Sequence, residues 1–403
     1  MYKLYCRIYQ NVLRGASYFA PWRRPELVEG KKSLNKLPKL IKNKGINSVL
    51  IVTDKGITSL GLMDGLLKGL KEVNIEFTVY DKTVPNPTID NIEEAVEIFR
   101  VKNCEGIIAF GGGSSMDCAK GVGARIARPD KSIASMKGII KIRKNIPQLF
   151  AVPTTSGTGS EATIAAVITD NRTHEKYAIN DMALIPHYAV LDPMITVGLP
   201  PHITSTTGMD ALTHAVEAYI GKSNTEETKE LSKNAVKLIF ANIYEAYSKG
   251  ENLEARENMQ KASYYAGLSF TRAYVGYVHA IAHSLGGVYG IPHGLANAVI
   301  LPYVLEYYGD SVYKPLAELS DLVGIADLKD TREEKTKKFI QSIKDLNKKM
   351  EIPTQISGIR ESDIPLMVER AFKEANPLYP VPRILSKKDL LNIFNMIKDH
   401  VEQ

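Results

Sequence analysis

The chain of 403 residues is long enough for two or three domains. Apolar residues make up 44% of it and charged residues 24%, with a net charge of +6, which is an ordinary globular composition. The basic residues are dispersed and are not interleaved with aromatic ones, so no nucleic-acid partner is expected. No run of about 18 apolar residues predicts a membrane span.

The three cysteines, Cys6, Cys104 and Cys118, form no CxxC pair. An odd number without that spacing indicates neither a disulfide framework nor a thiolate zinc site. This usage is typical of a reducing compartment, so we expect the protein in the cytoplasm.

The first residues alternate in polarity. Tyr2, Leu4, Cys6 and Ile8 recur with a period of two, which predicts a short N-terminal strand. The rest of the first 35 residues contains no motif that indicates a structure or a function.

From about Lys36 the chain alternates apolar, β-branched runs with helical patterns. Helices are predicted over residues 63–73 and 89–101, and a hairpin over residues 165–170 and 176–180. Strands that alternate with helices form parallel sheets with right-handed crossovers, so we expect a Rossmann-like sheet. The predicted strands of that sheet are residues 48–54, 76–81, 106–110 and 147–155.

After residue 199 long helical patterns dominate, and no comparable parallel-strand run follows. We therefore expect an α/β dinucleotide-binding domain over residues 1–199 and an all-helical metal-binding domain over residues 200–403. Ligands commonly bind in clefts between domains, so the ligand site is expected there.

Two loops rich in glycine and hydroxyl groups follow predicted strands. GGGSSMDCAKG (residues 111–121) opens a helix, and its backbone N–H groups favour a phosphate. It is neither a GxGxxG motif nor a Walker loop, and a plain glycine turn is an equal alternative. PTTSGTGSE (residues 153–161) is the second loop, and together the two suit the phosphates of a dinucleotide. A surface turn is the alternative for the second loop.

Asp54 ends the first strand that follows Lys36. A carboxylate there can accept hydrogen bonds from both hydroxyls of an adenosine ribose and would repel a 2′-phosphate. Because this acid precedes the glycine-rich loop, the order differs from the usual Rossmann fingerprint. The spacing alone equally allows a helix N-cap.

Asp210 and His214 in GMDALTHAVEAY stand at positions i and i+4 of a predicted helix, so both side chains leave the same face. His279 in GYVHAIAHSLGG and His293 in IPHGLANA follow downstream. One carboxylate and three imidazoles form a ligand set that Fe²⁺ or Zn²⁺ accepts. The alternative for either pair is a helix-terminal aspartate beside a packed core histidine.

Together these motifs resemble the iron-containing (group III) alcohol dehydrogenases. The match runs in the family's order from Val49 to Pro382 and also includes IVTD, VPNPT, LDP and NPLYPVP. The resemblance implies the family's two-domain, dehydroquinate synthase-like fold, an NAD(P) cofactor and a ferrous ion, or sometimes zinc. By motif position the metal ligands would be Asp210, His214, His279 and His293.

The resemblance also assigns residues to the cofactor side of the site. His283, at i+4 from His279, matches a family histidine near the nicotinamide. At that position His283 would relay a proton through water or the cofactor ribose, and a purely structural histidine is an equal alternative. Asp54 implies NAD rather than NADP, because members that prefer NADP commonly carry a smaller or neutral residue there. Dimers are common in the family, often with the N-terminal strand engaged, so a homodimer is expected. The matched cofactor positions are Asp54, Asn86, Gly112, Gly113, Ser114, Asp117, Thr154, Thr155, Thr163 and Lys176.

One stretch departs from the family pattern. Family members often have small residues before the helix of His279, with glycine near Tyr274, whereas this chain has RAYVGY over residues 272–277. If these larger side chains line the pocket, they narrow it. The substrate of this chain therefore cannot be inferred from the resemblance.

The residues and the resemblance predict a metal-dependent, NAD-linked alcohol dehydrogenase or aldehyde reductase. A primary alcohol or diol would bind the open position of the metal and pass a hydride to the nicotinamide. The alternative is an NAD-using lyase or cyclase of the dehydroquinate synthase type, without net redox chemistry. That class needs basic residues in the helical half to bind an anionic substrate, and only Arg272 is evident there. A third alternative is a degenerate NAD-binding module without chemistry.

Overall fold

The computed structural model describes residues 1–18, 20–173 and 175–399, which fall into an α/β unit and a helical unit. The α/β unit comprises Pro21–Leu199 and Glu251–Gln260, and the helical unit comprises Met1–Ala20, Pro200–Gly250 and Lys261–Gln403. This division differs from the predicted limits in two segments. Residues 1–20 belong to the helical unit, and residues 251–260 belong to the α/β unit.

The strands of the α/β unit form two sheets. They are β1 (Glu26–Glu29), β2 (Ser48–Val52), β3 (Glu76–Tyr80), β4 (Gly106–Gly111), β5 (Gly138–Ile139), β6 (Gln148–Pro153), β7 (Ala165–Asp170), β8 (Glu175–Asn180) and β9 (Tyr188–Leu191). Among the described residues the larger sheet has six strands, all paired in parallel, in the order β1-β9-β6-β4-β2-β3. β4 is buried along its whole length, as expected for a parallel strand covered on both faces. The predicted α/β class with a parallel sheet is confirmed.

Two of the helices between these strands were predicted with bounds, and the one over residues 63–73 is observed at Asp64–Glu72. The predicted helix over residues 89–101 is confirmed, and it starts with a capping box in which Thr88 and Asn91 exchange hydrogen bonds. Its buried face follows the helical period, with Ile92, Ala95, Val96 and Phe99. The helices of this region are α2 (Leu37–Asn43), α3 (Lys55–Ser59), α4 (Asp64–Glu72), α5 (Ile89–Val101) and α6 (Gly113–Ala127).

The smaller sheet contains the predicted hairpin. Its strand order is β5-β8-β7, and β7 pairs antiparallel with β8. In that register Ala165 lies opposite Asn180, and Asp170 lies opposite Glu175. The connecting turn includes His174, which lies outside the described residues.

The helical unit is built from long helices, as predicted from the pattern after residue 199. Several begin with capping boxes, at Thr225, Thr331 and Ser386. Within the described part of the chain, no helix is both long enough and apolar enough to cross a membrane. The first part of α9 belongs to the α/β unit and the rest to the helical unit. The helices are α1 (Tyr2–Tyr18), α7 (Pro201–Ile220), α8 (Glu226–Ser248), α9 (Leu253–Ala273), α10 (Tyr277–Tyr289), α11 (His293–Tyr308), α12 (Tyr313–Leu322), α13 (Arg332–Lys349), α14 (Ile364–Ala375) and α15 (Lys387–Ile397).

The predicted N-terminal strand is wrong, because these residues form α1. Their alternation with a period of two also contains a helical i, i+4 pair, Cys6 and Gln10, and both are buried. Arg7 and Gln10 donate hydrogen bonds to carbonyl oxygens of residues 377–382, a contact that local sequence does not reveal. A strand does follow at β1, where no motif was found, and it extends the larger sheet beside β9.

Candidate functional site

α7 carries the first two predicted metal ligands in its buried half. Asp210 and His214 are both buried, and His214 Nδ1 lies 4.0 Å from Asp210 Oδ1. The His214 ring stacks on Phe270, with centroids 4.0 Å apart and an interplanar angle of 11°. The i, i+4 spacing therefore places a carboxylate and an imidazole together, as predicted.

α10 brings His279 to the same carboxylate. His279 Nε2 lies 3.8 Å from Asp210 Oδ1, and its ring stacks on that of His214 with centroids 4.4 Å apart. Nε2 is buried and has no hydrogen-bond partner among residues 1–18, 20–173 and 175–399. A buried polar atom in that situation costs about 1–3 kcal/mol unless something binds it.

His293 reaches the site as the first residue of α11. Its Nε2 lies 3.4 Å from Asp210 Oδ1. The next residue, Gly294, lies against α7, and a Cβ built there would be 2.4 Å from the carbonyl oxygen of Thr206. Only glycine fits at this approach, which explains the glycine that follows the histidine in the sequence.

The structure thus brings together all four predicted ligands, which we call the quartet: Asp210, His214, His279 and His293. One donor atom from each lies within 4.8 Å of the other three. A carboxylate oxygen and three imidazole nitrogens match the donors of Fe²⁺ or Zn²⁺ sites, and the orphaned Nε2 is the atom that a cation would satisfy. The residues present therefore fit a divalent cation.

Glu217 is a site residue that sequence reasoning missed. Its carboxylate is buried and faces His279 Nδ1 at 2.7 Å, and it accepts the backbone N–H groups of Gly276 at 2.7 Å and Val278 at 2.8 Å. When Nδ1 donates to Glu217, Nε2 of His279 keeps its lone pair, which is the form that ligates metals. The signal was present, because Glu217 lies seven residues, or two helical turns, beyond Asp210.

Asn297 is the second residue that was missed. It is fully buried, and its Nδ2 donates to Asp210 Oδ1 at 2.6 Å and lies 3.1 Å from His293 Nε2. It stands at i+4 from His293 on α11. Asn297 therefore ties α11 to the aspartate of α7.

The electrostatics of the quartet favour neutral imidazole. Burial, followed by the neighbouring imidazoles, holds the pKa of His279 well below its usual range. Burial raises the pKa of Glu217, whereas the N–H donors of Gly276 and Val278 act to lower it because they stabilise the charged carboxylate. A neutral His279 whose Nδ1 faces a carboxyl group is suited to binding a cation through Nε2.

His283 lies one turn beyond His279 on α10 and outside the quartet. Its Nδ1 lies 2.6 Å from Glu374 Oε1, and the Tyr379 hydroxyl donates to the same oxygen at 2.8 Å. The His283 ring stacks beside His293, with centroids 5.1 Å apart and an interplanar angle of 17°. His283 is thus next to the quartet and is held by its own carboxylate.

Tyr274, where the sequence departs from the family pattern, has an unusual backbone. Its φ is +67°, in the left-handed region that glycine adopts most readily. The resemblance places a glycine near this position. The chain therefore follows a backbone path suited to glycine while carrying a larger side chain.

The two predicted phosphate loops follow neighbouring strands. β4 and β6 pair with Gly111 opposite Pro153, and the Thr154 N–H donates to the Gly111 carbonyl at 3.0 Å. Gly111 has a φ of +151°, and a Cβ there would lie 2.5 Å from Ser115 Oγ, so this turn requires glycine. The loops leave adjacent carboxyl ends of a parallel sheet, where α/β proteins bind ligands.

The first loop continues into the N-terminus of α6. Gly112 is the N-cap, and Gly113 and Ser114 are the first two helical residues. The N–H groups of a first turn have no acceptor within the helix and suit a phosphate. Thr155 of the second loop lies close, since a Cβ on Gly112 would be 3.5 Å from its Oγ1.

Asp54 is an N-cap, which was one of its two predicted roles. Its Oδ1 accepts the Ile57 N–H at 3.1 Å at the start of α3, and its Oδ2 accepts the Ser115 hydroxyl at 3.3 Å. The second bond turns the carboxylate toward the first turn of α6. The contact with an adenosine ribose stays a prediction.

Asn86, Ser114 and Lys176 meet although they lie far apart in sequence. Lys176 Nζ donates to Asn86 Oδ1 at 2.7 Å, and the Asn86 N–H donates to Ser114 Oγ at 3.3 Å. Three predicted cofactor residues therefore form one polar group beside the first loop.

Asp117 and Thr163 form hydrogen bonds with other groups of the protein. Asp117 accepts hydrogen bonds from the Ser160 hydroxyl at 3.0 Å and the Val167 N–H at 3.2 Å. Lys120 is fully buried and donates to Thr163 Oγ1 at 3.0 Å and Ser160 Oγ at 3.1 Å, and burial lowers its pKa to about 8. These bonds tie the second loop to α6, and cofactor contacts by Asp117 and Thr163 stay predictions.

Known proteins match this arrangement along most of the chain. The model of the iron-containing alcohol dehydrogenases matches residues 25–193, and that of the C-terminal part of the Fe-containing alcohol dehydrogenase family matches residues 204–397. The chain belongs to the iron-containing alcohol dehydrogenase family. The predicted family is therefore confirmed, and the alternative of a lyase or cyclase finds no support in these matches.

Individual relatives agree with this family assignment. A 1,3-propanediol dehydrogenase of Citrobacter freundii is 37% identical over 91% of this chain and 95% of that protein. An NAD-dependent methanol dehydrogenase of Bacillus methanolicus is 33% identical over 94% of this chain and 98% of that protein. The solved structure of an alcohol dehydrogenase from Oenococcus oeni has a TM-score of 0.90 and 35% identity, and the match covers 93% of this chain and 99% of that one. This member of the iron-containing family is accordingly an alcohol dehydrogenase.

Proposed function

We propose that this alcohol dehydrogenase depends on NAD and on a divalent cation, and that it interconverts primary alcohols or diols with aldehydes. The observation that carries the proposal is the convergence of the quartet around the orphaned Nε2 of His279. Iron is the first choice of metal because of the family, and zinc accepts the same donors.

The quartet would hold the cation through one carboxylate and three imidazoles. A divalent cation supplies Lewis-acid chemistry toward an alcohol or aldehyde oxygen, and NAD supplies the hydride acceptor. Glu217 keeps the Nε2 lone pair of His279 available, and Asn297 fixes the Asp210 carboxylate. Both act on the ligands and not on the substrate.

The choice of NAD rests on Asp54. Relatives of this chain include enzymes named as NAD-dependent and as NADPH-dependent, so the family alone does not decide between the two. A carboxylate beside the first turn of α6 would repel a 2′-phosphate, which favours NAD. The proposed cofactor contacts are Asp54, Asn86, Gly112, Gly113, Ser114, Asp117, Thr154, Thr155, Thr163 and Lys176.

His283 is our candidate for proton transfer. Glu374 holds its Nδ1, so its Nε2 can accept or release a proton. Its side chain is 27% exposed, in contrast to the buried imidazole of His279, so exchange with solvent is open to it. A general acid–base group needs a free ring nitrogen within hydrogen-bond reach of the proton that it transfers, directly or through one water.

Assembly and compartment stay predictions. We expect a homodimer, although the N-terminal strand that the resemblance placed at its interface is a helix in this chain. The three buried, unbridged cysteines support a reducing compartment such as the cytoplasm.

The decisive experiment is reconstitution of metal-free protein under anaerobic conditions. We expect NADH formation from short primary alcohols and diols only after Fe²⁺ or Zn²⁺ is added, with the quartet variant His279→Ala inactive under both conditions. Equal turnover before and after metal addition would refute the metal dependence. Turnover with NADP that equals turnover with NAD would refute the cofactor assignment.

A further inference from the structure

Helix α1 has one buried face and one exposed face. Cys6 and Gln10 are buried, whereas Leu4 and Val12 are each 65% exposed. The matched family regions begin at residue 25, so α1 lies before them. An N-terminal helix of this kind is ordered only through what its inner face contacts.

Arg7 hydrogen-bonds α1 to the end of a loop over residues 377–382, which lies far away in the sequence. Its guanidinium donates to the carbonyl oxygens of Val381 and Pro382, at 2.7 and 3.0 Å, and also to Gln10 Oε1 at 2.8 Å. The hydrogen bond to Gln10 Oε1 orients the Gln10 amide. Charged donors make the stronger kind of hydrogen bond, so this contact fixes the path of the loop.

Gln10 hydrogen-bonds to the beginning of the same loop. Its Nε2 donates to the carbonyl oxygens of Pro377 and Tyr379, at 3.0 and 2.7 Å. The prolines of this loop donate no backbone hydrogen bond, whereas the Tyr379 N–H donates to the Ala375 carbonyl at 2.7 Å and the Val381 N–H to the Tyr379 carbonyl at 2.8 Å. Two side chains of α1 thus bind four carbonyl oxygens within residues 377–382.

The loop in turn contacts the candidate proton-transfer group. The Tyr379 hydroxyl donates to Glu374 Oε1 at 2.8 Å, and the same oxygen faces His283 Nδ1 at 2.6 Å. Burial raises the pKa of Tyr379 well above its usual range, so the hydroxyl keeps its proton and acts as a donor. The position of Tyr379 therefore determines where the Glu374 carboxylate holds the imidazole.

We propose that α1 is a positioning element for His283. Arg7 and Gln10 fix residues 377–382, Tyr379 in that loop fixes Glu374, and Glu374 orients the imidazole. This rests on the proposed proton-transfer role of His283. If α1 only added stability, its loss would lower the melting temperature and leave the turnover of folded enzyme unchanged.

The test uses substitutions that remove a donor and keep the shape of the side chain. Gln10→Met removes the amide, and Tyr379→Phe removes the hydroxyl. Gln355→Met and Tyr303→Phe are matched controls, because their amide and hydroxyl donate to carbonyls elsewhere in the helical unit. We expect kcat to fall about three- to tenfold in the first two variants, part of the ~10²–10⁴-fold that general acid–base catalysis contributes. The controls should keep the wild-type kcat, and metal content should be unchanged in all four.

Combination with His283→Ala separates positioning from general stabilisation. We expect Gln10→Met and Tyr379→Phe to have no further effect on kcat in that background, because the group that they position is absent. Effects that multiply with that of His283→Ala would overturn the positioning of His283 and leave the proposed function standing. A loss of bound metal in Gln10→Met would also overturn it, since the effect would then act through the quartet.

The same series distinguishes a failure of the proposed role of His283. If His283→Ala alone retains the wild-type kcat, proton transfer by His283 is refuted and the positioning of that residue falls with it. If Gln10→Met does not fold, Arg7→Met carries the test, because it removes the other hydrogen bonds from α1 to the loop.

Discussion

Replacement of Glu217 by glutamine is expected to weaken metal binding while the helical unit stays folded. The carboxylate accepts the N–H groups of Gly276 and Val278 and faces His279 Nδ1, all within 2.8 Å. Glutamine has the same shape but only one acceptor oxygen. Whichever way its amide turns, at least one of the three donors then faces another donor.

The size of the effect follows from the loss of the negative charge that accepts the bond from His279. A hydrogen bond to a charged group contributes about 1.5–3 kcal/mol, and this one also determines which ring nitrogen carries the proton. Since about 1.4 kcal/mol corresponds to a factor of ten in an equilibrium constant, we expect roughly 10- to 100-fold weaker metal binding. Partners that hydrogen-bond to metal-ligating histidines typically have effects of this size.

The assay is a competition titration against a chromophoric chelator, with anaerobic handling for Fe²⁺. Glu374→Gln is the matched control, because Glu374 faces Nδ1 of His283 at 2.6 Å and that histidine is not in the quartet. The control should keep the wild-type affinity. Wild-type affinity in Glu217→Gln, or an equal loss in both variants, would refute the reasoning.

Three further outcomes are expected. His279→Ala should lose bound metal and turnover while the α/β unit keeps its thermal transition, and full turnover of the metal-free variant would contradict the site. Asp54→Asn keeps a capping side chain but removes its charge, so the ratio of kcat/KM for NAD over NADP should fall, and an unchanged ratio would count against the role of Asp54. Burial lowers the pKa of His187 to about 4, below the usual value near 6.5. Between pH 6.5 and 4 the unfolded chain therefore binds more protons, and stability falls as the pH drops. Denaturant titrations should show a shallower fall for His187→Gln, and an identical fall would disprove this assignment.

The quartet could be predicted because each ligand lies in a short motif with helical spacing. Asp210 and His214 needed only the i, i+4 rule, and the structure places them on one buried face. The spacing of residues in the sequence could not predict that α7, α10 and α11 converge on one site. That convergence depends on close contacts such as that of Gly294 with Thr206. The family resemblance predicted the convergence only indirectly, through the ligand set.

Local pattern failed where a tertiary partner decides the structure. The first residues satisfy both a period of two and a helical pair, and Arg7 and Gln10 find their acceptors in residues 377–382. A contact across that separation leaves no trace in the first ten residues. β1 was missed for a related reason, since this four-residue strand pairs with β9, which lies about 160 residues later in the chain.

α10 carries two histidines that each face a carboxylate with similar geometry. They differ in burial, and we assign them different roles for that reason. His279 and His283 stand at i and i+4, and their Nδ1 atoms lie 2.7 and 2.6 Å from Glu217 and Glu374. Both rings therefore present Nε2 on the side away from the carboxylate that faces Nδ1. The side chain of His279 is 2% exposed, so a proton on Nε2 would have to be carried without water, and a cation is the better partner. His283 is 27% exposed and can exchange its proton, which suits it to acid–base work beside the quartet.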